Sequence, residues 1–306
     1  MAIAAQLPFA RIEAKPTPVS NNDSMQLPMI ISKPILATDL DGTLIPSAAA
    51  PEGSRERRAL RKLARCNEAD EIELVFVTGR HFESVMAVMR SEQLPTPSWI
   101  VCDVGSSIYE RAQESFRPVP DYEKHIEGLV RELDVQSLRP LLQDKCQVEP
   151  QEEEKQQKFK LSFYCDGPLM QSSVCQIEVI LNDSSLPFCV IGSIDPFNRR
   201  GLIDVMPQKV NKAYALDWWA ARQKLNRDEI IFAGDSGNDF AALTHGFRAI
   251  LVGNASFELA QSVKQYHEKA GTSERFFYAT QHTSAGILEG CEHFGVIRKD
   301  FSMETP

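Results

Sequence analysis

Residues 34–47 read PILATDLDGTLIPS, and this stretch decides the fold. An apolar run from Pro34 to Ala37 leads through Thr38 into two aspartates, Asp39 and Asp41, split only by Leu40 and followed by Gly42 and Thr43. The apolar run reads as a buried strand, and the Asp/Gly cluster as its exit. In extended backbone, positions i and i+2 face the same way, so both carboxylates are expected to point into one small volume at the strand's end. Unrelieved, they repel. A chain holds such a pair when a cation sits between them, when one carboxyl keeps its proton, or when water screens both.

Outward from this strand, short β-rich runs alternate with helical patterns, the mark of a parallel sheet flanked by helices. ILATDLD is followed by the helix SRERRALRKLARCNEA, the strand IELVFVTGR, the helix FESVMAVMRSEQL and the strand WIVCDVG. Towards the other end, DEIIFAGDS and RAILVG are two more strands, with NDFAALTHG a short helix between them. The stretch from Pro118 to Gly201 differs: helix-like DYEKHIEGLVRELD, charged QEEEKQQK, strand-like FKLSFYCD, helix-like SSVCQIEVILND, and strand-like PFCVIGSI. The fold class expected is therefore α/β, a doubly wound parallel sheet with an inserted α+β block. The boundaries expected are a loose tail over 1–30, a core over 31–118 and 205–306, and an insertion over 119–204.

Open parallel sheets bind ligands beyond the carboxyl ends of their strands. There the sequence collects Asp39 and Asp41 after strand one, Thr78, Gly79 and Arg80 after strand two, and GDSGND (234–239) after a later strand, with Lys212 opening the helix before it. Clustered carboxylates, one lysine, a hydroxyl and glycines that let backbone amides approach an anion suit magnesium-assisted phosphoryl transfer. Mg²⁺ takes hard oxygen ligands, for which Asp39, Asp41, Asp235 and Asp239 are the candidates. Asp39 is read as the nucleophile that forms an aspartyl-phosphate, and Asp41 as general acid and then base. Thr78, Gly79, Arg80, Lys212 and Asn238 are read as contacts to the phosphoryl group. Asp239 is also placed to position Lys212.

DLDGT, the Thr at the end of the second strand, the Lys after an insertion, and GDSGND together resemble the four motifs of the haloacid dehalogenase-like (HAD) phosphatase superfamily. An insertion between the Thr and Lys motifs is the arrangement called a C2 cap. VGSSIYE (104–110), KFKLSFYCD (158–166), DVMPQKVNKAYAL (204–216), LVGNASFEL (251–259) and SAGILEGCEHFG (284–295) are similar to the sucrose-6-phosphate phosphatase family within that branch. The resemblance spans Pro34 to Gly295. It implies a Rossmann-like core, an Mg²⁺ cofactor, and hydrolysis of a disaccharide phosphate such as sucrose 6-phosphate. It also implies that Lys160, in the cap, contacts the sugar phosphate or a sugar hydroxyl, and that Lys212 rather than Lys209 is the catalytic lysine. The family commonly has Lys-Gly here, whereas this chain has Lys212-Ala213. Phosphatases for mannosylfructose phosphate or mannosyl phosphoglycerate, a phosphomannomutase-like phosphotransferase, and a non-catalytic sugar-phosphate-binding module are the alternatives.

Bulk properties narrow the field. The 306 residues suggest two domains on a prior of roughly 100–200 residues each. A net charge of −9, from 42 acidic and 33 basic residues, disfavours coating a nucleic acid. The 7 cysteines form no CxxC pair, and no HExxH occurs, so a reduced, cytoplasmic protein without a zinc knuckle is expected. No apolar run approaches the ~18 residues of a membrane span, and the first residues lack the pattern of an export signal. The partner expected is a small sugar phosphate, with a sugar-phosphate synthase as a candidate protein partner.

Overall fold

The computed structural model describes residues 33–195 and 198–299; the tail expected over 1–30 lies outside them. Strands β1 (Ile35–Thr38), β2 (Glu73–Val77), β3 (Trp99–Cys102), β4 (Ser107–Ala112) and β5 (Ser115–Pro118) come first. Then follow β6 (Glu149–Pro150), β7 (Leu161–Cys165), β8 (Phe188–Ile194) and β9 (Gly201–Pro207), and finally β10 (Ile230–Gly234), β11 (Arg248–Leu251) and β12 (Phe276–Tyr278). They form an eight-stranded sheet in the order β12-β11-β10-β1-β2-β3-β4-β5 and a four-stranded sheet in the order β6-β7-β9-β8.

The large sheet is parallel from β12 to β3, and a β4–β5 hairpin extends it antiparallel. Its strand order reverses at β1: the chain moves to β2 on one side and returns later to β10 on the other. Such a reversal opens a crevice at the carboxyl ends of the two diverging strands, here the ends that carry Asp39 and Asp235. The apolar runs that predicted these strands are buried on both faces, as sheets covered by helices require. Along β1, Ile35 and Ala37 join one apolar cluster and Leu36 the other. On the second face lies the helix Arg55–Glu68, capped by Ser54 and burying Ala59, Leu60, Leu63 and Cys66 at helical spacing.

The insertion is the second sheet, antiparallel throughout, with the helices Pro120–Val130 and Met170–Asp183. Strand β9 keeps its pairing to Pro207, a little past the boundary expected at 204. The apolar cluster that holds Ile35 and Val101 continues to Phe163, Ile203 and Val205, so the two sheets share buried contacts.

Two details depart from expectation. The strand ILATDLD ends at Thr38, and Leu40–Leu44 winds into one wide turn with Gly42 at φ +73°. The i, i+2 alternation therefore stops before the aspartates, and Asp39 is buried while Asp41 faces solvent. The β4–β5 hairpin, the helices Phe257–Ala270 and Thr283–His293, and β12 were not singled out as elements in the sequence; β12 has only three residues, too few for a periodic signal.

Candidate active site

The site is assembled where β1 and β10 diverge. The Asp39 amide donates to Ala233 O at 2.9 Å, fixing the exit of β1 against β10. The turn after it then passes directly beside Asp235: a β-carbon on Gly42 would stand 2.4 Å from Asp235 Oδ2, so only glycine fits. Thr43 Oγ1 donates to Asp235 Oδ1 at 2.7 Å. Lys212 is the first residue of the helix Lys212–Gln223, whose N-cap Asn211 accepts from the Tyr214 amide. From there its fully buried ammonium lies 2.8 Å from Asp39 Oδ1 and 2.7 Å from Asp239 Oδ1. The other oxygen of Asp239 accepts from the Asp235 amide, the Ser236 amide and Ser236 Oγ, at 3.1, 3.0 and 3.1 Å.

Asp39, Asp235 and Asp239 each present a carboxylate oxygen within 4.8 Å of the others. Three carboxylates share one ammonium, so full ionisation leaves two negative charges in a buried volume. Burial pushes the Asp39 carboxyl well above the ordinary range, with Asp239 and Asp235 adding to the effect and Lys212 offsetting only part of it. Asp235 is pushed up to about 7, by burial first and then by the charge of Asp239. Burial also opposes the charge of Lys212, but Asp239 and Asp39 outweigh it and hold the ammonium above the usual lysine value. This unbalanced acidic cluster fits a divalent cation, whose charge equals the deficit. Asp39 and Asp235 retain free coordination capacity, whereas both oxygens of Asp239 are already engaged, which makes Asp239 the residue that positions Lys212.

Asp41 stands apart from that group. Its two oxygens accept from Arg80 Nη2 and Nε, both at 2.6 Å, a bidentate pair on the solvent side. The sequence predicts Asp41 as a metal ligand; the structure gives its carboxylate to Arg80 instead, because Leu40 turns the backbone out of extended geometry. Arg80 is thereby a partner of Asp41 rather than a free anion contact. Thr78 is buried, and its hydroxyl accepts from the Arg80 amide at 3.2 Å. The Asn238 amide nitrogen lies 3.6 Å from where a β-carbon on Gly79 would stand, bringing the Thr78–Arg80 loop beside GDSGND. Lys160, from the second sheet, reaches the same loop: its ammonium is 3.5 Å from Gly79 O and 3.2 Å from Asp103 Oδ1. All ten sequence-predicted residues thus lie at connected loops, with Asp41 oriented differently from expectation.

Sequence reasoning gave no role to Thr43, Ser236, Asp103 or Asn254. Asn254 donates to Gly42 O at 2.8 Å and accepts from the Thr283 amide at 2.9 Å, tying the DLDGT turn to the carboxyl-terminal helix. Nothing local in the sequence marks it. Asp103 was findable, because it follows β3 as directly as Asp39 follows β1.

A family model described as sucrose-6F-phosphate phosphohydrolase matches residues 32–295. A HAD-like hydrolase of Nitrosococcus oceani is 33% identical over 273 residues, 86% of this chain and 72% of that protein. The mannosylfructose-phosphate phosphatase of Agrobacterium fabrum is 27% identical over 266 residues, 86% of this chain and 97% of that protein. The crystal structure of the Synechocystis sucrose-phosphatase, in complex with sucrose and phosphate, matches with a TM-score of 0.70 at 22% identity, covering 86% of this chain and 98% of that one. At that identity the likeness shows the fold.

Proposed function

The chain belongs to the sucrose-6F-phosphate phosphohydrolase family and is a phosphoric monoester hydrolase, and we propose that it cleaves a disaccharide phosphate, foremost sucrose 6-phosphate, to the free sugar and phosphate. The observation that carries this reading is the Lys212 ammonium held between Asp39 and Asp239, with Asp235 alongside. It supplies a nucleophile, a fixed cation and a divalent-metal site in one buried volume.

In the reaction, an Asp39 oxygen attacks phosphorus in line as the bond to the sugar oxygen breaks, giving an acyl phosphate on Asp39 and a sugar alkoxide. Asp41 delivers a proton to that oxygen. Water then attacks the acyl phosphate, Asp41 takes up the water's proton, and phosphate leaves with Asp39 restored. Asp41 performs this role only once it turns from Arg80, so the bidentate pair is a resting arrangement. Thr78, the Gly79 amide and Asn238 bind the phosphoryl oxygens, and Lys212 offsets charge that develops on them. Mg²⁺, held by Asp39 and Asp235, would neutralise the carboxylates and polarise the phosphoryl group. The second sheet acts as a cap that closes over the sugar and excludes bulk water.

The Agrobacterium relative, covered over 97% of its length, favours mannosylfructose phosphate as the second reading. Phosphate release from sucrose 6-phosphate, mannosylfructose phosphate, mannosyl phosphoglycerate and hexose phosphates, each with Mg²⁺, separates the two. The Asp39→Asn variant should keep its fold and lose turnover by about 10⁴-fold or more; steady hydrolysis by that variant would rule out the nucleophile.

A further inference from the structure

Outside the acidic cluster, the described residues hold a second buried ion pair of unusual placement. Asp103 and Lys160 are 2% and 5% exposed, and they come from different sheets. Asp103 follows β3 of the large sheet, and Lys160 directly precedes β7 of the small one. Their separation is 3.2 Å, and the same ammonium lies 3.5 Å from Gly79 O.

The carboxylate is fixed with reference to the phosphoryl-binding loop. The Asp103 amide donates to Arg80 O at 2.9 Å and the Val104 amide to Thr78 O at 3.1 Å, while Ser107 Oγ donates to the other Asp103 oxygen at 3.0 Å. These bonds hold Asp103 and Val104 in left-handed backbone, at φ +54° and +57°. That conformation is rare for aspartate and an outlier for a β-branched residue. Strain of this kind persists only where the surroundings impose it, and it clusters at functional sites. Gly105 completes the strut: a β-carbon on it would stand 2.3 Å from Asn211 O, immediately before Lys212. One short loop therefore touches the Thr78 loop, the start of the Lys212 helix and the lysine of the second sheet. Asp103 also borders a cavity of about 140 Å³ at the seam, with Tyr109, Tyr122, Lys158 and Phe159 among its other walls.

We propose that Asp103 is a positioning residue: across the seam between the sheets it holds the Lys160 ammonium beside Gly79, and so sets the affinity for the sugar phosphate without entering the chemistry. This rests on the phosphatase reading above, in which the phosphoryl group occupies the Thr78–Gly79 loop. Lysine carries three donors. With Gly79 O as its hydrogen-bond acceptor and Asp103 Oδ1 as an ion-pair contact on the loop side, a further donor is available to a substrate oxygen.

The test compares sucrose 6-phosphate with p-nitrophenyl phosphate, which lacks a sugar to reach Lys160. Asp103→Asn should raise KM for sucrose 6-phosphate about tenfold or more, leaving kcat and the activity on p-nitrophenyl phosphate within about twofold. In a Lys160→Met background, Asp103→Asn should add nothing, since the group it positions is gone. That double variant removes both charges of the seam pair together, which protects the test from a simple failure to fold. Equal losses on both substrates, effects that multiply in the double variant, or an unchanged KM would each overturn the proposal. If the wild type cleaves p-nitrophenyl phosphate but no sugar phosphate, the substrate reading fails, and the pair is judged by hydrogen exchange alone. Amides 79–81 should then exchange about fivefold faster in Asp103→Asn, and unchanged exchange would overturn it.

Discussion

Lys212 and Lys160, two of the lysines buried among the described residues, both reach the site, and they are held in different ways. Lys212 is fully enclosed by loops of one sheet and touches two carboxylates, Asp39 and Asp239. Lys160 comes from the other sheet; its ammonium lies 3.2 Å from Asp103 across the seam, and the charge of Asp204 in its own sheet also supports it. Removing an ion from water costs several kcal/mol, which only close, well-satisfied partners return. Lys212 has such partners independently of any motion between the sheets. Lys160 has its close contact with Asp103 only while the sheets are apposed, whereas Asp204 stays with it in its own sheet. On the reading proposed above, this contrast matches a chemical role for Lys212 and a substrate-binding role at the seam for Lys160.

Neutralising each lysine breaks the comparison most directly. Lys212→Met should lower kcat by about 10³-fold, the scale of a lost transition-state charge contact. At neutral pH it should also destabilise the fold by about 3–5 kcal/mol, because Asp39 and Asp239 are then buried against each other unpaired. The stability loss should shrink in acid, where the carboxyls take up protons. Urea unfolding at two pH values, alongside steady-state kinetics, checks both. Lys160→Met should change KM and leave kcat nearly intact. If the two variants lose kcat equally, the division of labour between the sheets is wrong.

A smaller effect is expected at the half-exposed pair. Asp41 accepts two bonds from Arg80, and that contact raises the Arg80 pKa. Arg80→Gln removes the fork that holds Asp41 in its resting position, so kcat should stay within about twofold of wild type or rise. Stability should change by less than about 1 kcal/mol, since the pair is open to solvent and screened. A loss of kcat of tenfold or more would show instead that Arg80 orients Asp41 for proton transfer.

The sequence made the chemistry more legible than its orientation. Asp39, Lys212, Asp235 and Asp239 converge because each follows a strand or opens a helix at the carboxyl end of a parallel sheet, which is a property of chain order. Asp41 differed because its direction depends on the backbone of Leu40, a single turn that no periodicity encodes. Asp103 stands at the strand exit of WIVCDVG, but its partner Lys160 comes from the insertion, and no local pattern ties the two. Asn254 acts across more than two hundred positions on Gly42. Its role follows from tertiary packing alone.

Proton binding separates the two regions most finely. The folded-state pKa of Asp235 is about 7, raised from 3.8 by burial and the neighbouring Asp239. A carboxyl raised in this way binds its proton more tightly when folded, so its contribution favours folding below the unfolded pKa and is lost as pH rises through the folded value. The Tm of the metal-free protein should therefore fall between about pH 4 and pH 7. Mg²⁺ competes with that proton, so its affinity should rise by up to about tenfold per pH unit below pH 7 and then level off. Saturating MgCl₂ should accordingly flatten the fall in Tm, and Asp235→Asn should flatten it without metal. Burial raises the Asp103 carboxyl too, with Lys160 offsetting part of the effect, so its contribution to the pH slope has the same sign. The ion separates the sources: Asp103→Asn should leave the magnesium-sensitive part of the slope intact, and Asp235→Asn should abolish it. Should both variants alter that part equally, the acidic cluster and the seam titrate as one unit, and the two lysines do not mark separate regions.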